Sequence, residues 1–183
     1  MTDDDTTAVG LLRGLAGRVR DDTLNRLRAL LAAGELDMME ADLLAELTRD
    51  RVPLLSHELP LLRDVRDYPE SPLPSGLIVA DPGTAPPAFE FAAAEPEPGD
   101  QRAVAGVFGI DDVKTIRKAL RLPGTLVWVV ELVGGADVSR WRRYLPDLSE
   151  FPASTCEIVA DGERLPPYQA AALAAGLVVW RAD

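Results

Sequence analysis

One cysteine and one histidine are all that the 183-residue chain holds of either. A single Cys156 excludes an intrachain disulfide and a metal site built from cysteines. Its neighbours Thr155, Glu157, Ile158 and Val159 place it on a strand, where a thiol acts as a small buried hydrophobe. Any histidine-dependent triad would have to use His57, which lies in a connection between helices beside Ser56 and Glu58. No G-x-S-x-G elbow accompanies it, so no catalytic residue is assigned. Glycine–lysine pairs and the G-x-G-x-x-G pattern are also missing, which removes the usual phosphate cradles. No basic and apolar leader follows Met1-Thr2-Asp3-Asp4-Asp5, and no uncharged stretch reaches membrane-spanning length. A cytoplasmic protein without a membrane partner is therefore expected. Between Arg66 and Arg102 there is no Lys or Arg at all.

What the chain has instead is acid. The formal net charge is -11. Such a surface repels phosphate backbones and suits either plain solubility or a partner of opposite charge. Arg140-Trp141-Arg142-Arg143 is the one dense basic spot, and one turn of helix is too short to track a nucleic acid. Nucleic acid is not expected as a partner.

The N-terminal third reads as four short helices packed on leucine. After a polar tail of about eight residues, Leu11, Leu12, Leu15 and Val19 recur at helical spacing, weakened by Gly10, Gly14 and Gly17. Asp21 or Asp22 can cap a second helix carrying Leu24, Leu27 and Leu31, which Gly34 ends. A third runs from Glu35 to Arg49 with Leu36, Met39, Leu43, Leu44 and Leu47 inward. Its other side is acidic: Glu35, Asp37, Glu40, Asp42 and Glu46. That side reads either as a solvated helix face or as a contact surface for a basic partner. Val52-Pro53 breaks the chain, and a fourth helix is expected from about Leu59-Pro60, with proline at its first position.

Within Asp22 to Val65 the chain reads Thr23-Leu24-Asn25-Arg26-Leu27-Arg28-Ala29-Leu30-Leu31-Ala32-Ala33-Gly34-Glu35, then Leu43-Leu44-Ala45-Glu46-Leu47, then Val52-Pro53-Leu54, then Glu58 and Leu61-Leu62. This stretch, roughly a quarter of the chain, resembles the MafI family of small bacterial immunity proteins. The resemblance implies a non-catalytic protein of a polymorphic-toxin system, which neutralises a toxin by binding it. The acidic residues of the third helix would then face a basic toxin domain, with no cofactor and no metal. Two other classes stay open. One is an adaptor module with a different protein partner. The other is a metal-dependent enzyme using Asp137, Asp161 and Glu163.

Proline and acid without base mark an extended connection after the helices. Residues 1–67 are expected to form a helical bundle, 68–75 a linker, and 76–183 an α/β domain, an α+β chain overall. Leu77–Ala80 and Phe89–Phe91 read as weak strands and Val104–Phe108 as another. Asp111 or Asp112 would open a helix with Val113, Ile116 and Leu120 on its apolar face. Thr125–Val133 is the longest apolar run and reads as the central buried strand. A helix from Asp137 to Leu145, a strand from Thr155 to Ala160, an alanine-rich helix opened by Pro166-Pro167 and a strand at Leu177–Trp180 follow. Strand, helix, strand, helix, strand implies right-handed crossovers and a mostly parallel sheet. Oligomeric state is not legible from these residues.

Overall fold

The computed structural model describes residues 3–66, 71–100, 104, 112–136 and 155–182. The chain divides into two compact units, Met1–Pro87 and Ala88–Asp183. Helices and a mixed sheet make it α+β.

The first unit is helical. Among the described residues its helices are α1 (Asp3–Gly14), α2 (Asp21–Ala33), α3 (Leu36–Arg49) and α4 (Glu58–Val65). α1 starts earlier than expected and takes in most of the polar tail. The chain leaves α1 at Gly14 and turns through Gly17 at a positive φ of 74°, so Val19 packs from a turn rather than from the helix. Gly34 ends α2 as expected, with φ 79° and its N–H on the Leu31 carbonyl. Arg20, not an aspartate, holds the N-cap position, and Asp21 and Asp22 lie in the first turn. α4 begins at Glu58, ahead of Pro60. The reason is Glu58 itself, whose carboxylate reaches back to accept the Leu55 N–H at 2.8 Å.

Leu11, Leu12, Leu15, Leu24, Leu27, Met39, Leu43, Leu47, Leu54 and Leu62 are fully buried and form the core of this unit. α1 packs on α4, and α2 on α3. Leu77–Ala80 joins it as a single parallel bridge rather than a strand pair: Val79 opposes Leu54, and Ala80 N–H bonds the Leu54 carbonyl at 2.8 Å. An ion pair lies inside. Arg18 donates to Glu58 at 2.5 Å, with the two side chains 5% and 1% exposed. Arg18 also donates to the Gly14 and Pro53 carbonyls. A Cβ on Gly14 would come within 2.8 Å of Glu58 Oε1, so a side chain here would push the Glu58 carboxylate off its place.

The second unit is a five-stranded sheet with a helix beside it. Its strands are β1 (Phe91–Ala93), β2 (Val113–Arg121), β3 (Thr125–Leu132), β4 (Thr155–Ala160) and β5 (Leu177–Arg181), and its described helix is α5 (Pro167–Ala175). β3 is the buried strand that its composition predicts. The helix expected from Asp112 is instead β2. Both faces of β2 are covered, so its buried positions 113, 115, 116, 118 and 119 imitate helical spacing. Pro123-Gly124 then turn the chain back, with Gly124 N–H on the Arg121 carbonyl at 2.8 Å, and β3 pairs along the whole of β2.

The sheet is mixed, not mostly parallel. β3 and β4 are parallel, in register from Val127–Thr155 to Leu132–Ala160. The β1–β2, β2–β3 and β2–β5 pairs are antiparallel. β5 does not extend the parallel edge. It pairs with the first half of β2, and β1 pairs with the second half. The hairpin was the missing element: once β2 is a strand, β5 has an edge there to fill. One sheet face carries Val113, Ile116, Trp128, Val130, Leu132, Cys156 and Ile158 as a buried cluster. The expected helix from Asp137 to Leu145, and Val104–Phe108 apart from Val104, lie outside the described residues.

Replacing Glu58 by glutamine leaves a buried guanidinium without its counter-charge, which costs ~3–5 kcal/mol in comparable sites. Urea unfolding followed by helix circular dichroism should show a loss of that order for Glu58→Gln. Gly14→Ala should also lose stability. Wild-type midpoints in both variants would contradict the buried pair.

Candidate protein-interaction face

α3 places its acids in two groups. Helical periodicity puts Met39, Leu43, Glu46 and Leu47 inward and leaves Asp37, Met38, Ala41 and Ala45 exposed. Glu35 precedes the helix at its N-cap position, also exposed and with no side-chain cap bond.

Three of the five acids are engaged by cations of the bundle. Glu46 is the most buried, its side chain 8% exposed. It accepts from Thr23 Oγ1 and Arg26, each at 3.3 Å, and from Arg49. Asp42 pairs with Arg26 at 3.0 Å. Glu40 accepts from Arg66 at 2.8 Å, and Arg66 also donates to the Ser71 carbonyl. Thus Glu40 and Arg66 fasten the chain after α4 to α3, while Glu46 and Asp42 fasten α3 to α2. Glu35 and Asp37 remain exposed, with no ion pair among the described residues. Met38 lies beside them, 57% exposed, a large apolar side chain in water.

Sequence reading treats the five acids as one face and misses the cations that divide them. A signal was present. Arg26 and Asp42 each lie eight residues from Gly34, so a helical hairpin turning at that glycine brings them level.

The carboxylates of the enzyme alternative are placed differently. Asp161 pairs with Lys114 at 2.7 Å. The hydrogen bond from Lys114 holds the Asp161 carboxyl below its ordinary range. The Lys114 ammonium is raised in turn, first by Asp161 and then by Glu131. Glu163 caps its own turn by accepting the Ala160 N–H. Asp137 lies outside the described residues. Both described carboxylates serve local turns and strand ends. Among the described residues, no three or more His, Cys, Asp or Glu gather closely enough to hold a metal. His57 is exposed at the N-cap position of α4.

The sheet has its own buried polar groups. Glu131 accepts from Thr115 at 2.7 Å and from Lys114 at 3.2 Å. Gln169 of α5 donates to Glu157 at 2.8 Å, with both residues buried. Tyr168 takes a hydrogen bond from Arg121 and meets Phe89 and Phe91 edge-on at 5.0 and 5.2 Å. These contacts tie α5 and β1 to one sheet face.

Among the described residues, no helix is long and apolar enough to cross a membrane. No family model, no curated protein and no solved structure matches the chain.

The division of α3 makes a direct demand. Glu35→Gln with Asp37→Asn should leave thermal stability within ~0.5 kcal/mol of wild type, as exposed substitutions do. Glu46→Gln should cost ~1–3 kcal/mol, the loss expected when a buried charged acceptor is removed from its donors. Equal effects in the two variants would show that the acids of α3 are not divided in this way.

Proposed function

We propose that this chain is an immunity-type protein, which binds a basic toxin domain and neutralises it without catalysis. The observation that carries the reading is the outward acidic end of α3, where Glu35 and Asp37 stand exposed around Met38. Two further features support it. The chain has an overall charge of -11, which speeds encounter with a positive partner. The stretch Asp22 to Val65 resembles MafI immunity proteins, whose role is to bind a toxin. The same stretch contains the whole of α3 and α4 and all of α2 but its first residue, so the likeness covers helices able to present a surface.

In this reading Glu40, Asp42 and Glu46 set the shape of the face, and Glu35 and Asp37 supply its outward charge. Toxin inhibition then works by covering a basic, functional surface of the toxin. It needs no cofactor and no metal from this chain. A cytoplasmic site of action fits, because a resident inhibitor must meet the toxin where the toxin acts.

The reading requires a toxin gene beside this one. Co-expression of that toxin with the wild-type chain should restore growth of a sensitive host. Glu35→Lys with Asp37→Lys should weaken binding at least tenfold, because like charges then meet across the contact. Failure to rescue, together with no measurable binding between the purified proteins, would remove the proposal.

A further inference from the structure

Lys114 and Lys118 are the chain's only lysines, and Lys118 is the buried one, 1% exposed. It lies on β2 opposite Trp128 of β3. Its ammonium sits over the Trp128 ring, 5.7 Å from the centroid. Trp128 belongs to the buried apolar cluster that also holds Ile116, Val130 and Ile158. An aliphatic residue at position 118 would join that cluster without taking a charge out of water. Core stability alone therefore gives no reason for lysine.

The counter-charge comes from a short segment of the same unit. Asp100 accepts from Lys118 Nζ through both carboxylate oxygens, at 2.9 and 3.3 Å. The Glu95 carbonyl accepts at 3.2 Å, and the Glu97 carboxylate lies at 3.6 Å. Asp100 is itself shaped for this. Its carboxylate accepts the Glu97 N–H at 2.7 Å, and its own N–H bonds the Glu97 carbonyl at 2.9 Å. The segment Ala94–Asp100 is thus a strap, buried at its two ends and exposed from Glu95 to Gly99. Little apolar surface holds it down, the mark of a segment that opens without global unfolding.

We propose that Lys118 and the face of Trp128 form a carboxylate-receiving site, which the Asp100 turn fills in cis. An acidic peptide turn of the same chemistry, presented in trans, replaces the strap. The strap is then an autoinhibitory contact, and its ligand class is a peptide carboxylate whose backbone folds as Glu97–Asp100 does. This site belongs to the sheet unit and stands independently of the toxin-binding reading.

The test uses the full chain and a synthetic peptide of residues 94–100, blocked at both ends and labelled for fluorescence anisotropy. Asp100→Asn empties the site of its charged occupant. That variant should bind the peptide at least tenfold more tightly than wild type does. Adding Lys118→Met should return binding to the wild-type level, and a peptide with asparagine in the last position should not bind. Equal affinity across all three proteins would overturn the proposal. Amide exchange in the wild type covers the case in which Asp100→Asn fails to fold. The Glu97 amide should exchange at least a hundredfold faster than the central amides of β3. If it is protected as strongly as those amides, the strap does not open, and the proposal fails.

Discussion

A charge removed from water needs a partner, and that constraint arranges much of this chain. A lone buried guanidinium, ammonium or carboxylate is costly, whereas a well-bonded pair offsets most of its desolvation. Arg18 and Glu58 join the turn after α1 to the start of α4. Glu46 gathers Thr23, Arg26 and Arg49 between α2 and α3. Lys118 and Asp100 bring the segment before β2 onto the sheet. Between the helices an apolar core sets which elements meet and the pair sets how they align, whereas on the sheet the Lys118–Asp100 pair itself holds the segment down. The chain has 19 basic residues against 30 acidic ones, so cations held internally leave further acid outside. The outward charge of α3 is a residue of that internal accounting, not a property of the helix alone.

The sheet follows a second constraint, the filling of strand edges. β2 has β3 along one edge and shares the other between β1 and β5. Gly176, just before β5, lies where a Cβ would come within 3.0 Å of Arg117. Backbone thus approaches β2 closely as the chain leaves α5 to enter β5. The short β5 could not stand alone, and its place is set by the strand that receives it.

Much of the first unit was legible in the sequence. Leucine spacing and Gly34 mark α2 and α3, because burial on one stripe and a left-handed cap leave direct traces. The start of α4 was not legible, since the Glu58 carboxylate that accepts the Leu55 N–H also pairs with Arg18, forty residues earlier. In the second unit β3, β4, α5 and β5 could each be read from local composition. β2 could not, because coverage on both faces erases the alternation by which a strand is recognised. That one substitution of strand for helix turned an expected parallel sheet into a mixed one. For the candidate face, the residue types were legible and their division was not. Which acids stay exposed depends on Arg26 and Arg66, whose positions only the tertiary fold supplies.

The central functional claim is recognition through negative potential on the α3 face. The most direct measurement is the association rate with the purified toxin as a function of ionic strength. The account predicts a rate that falls steeply as salt rises, with a shallower slope when Glu35 and Asp37 are neutralised together. A rate indifferent to salt, or the same slope for the wild type and the neutralised variant, would contradict it.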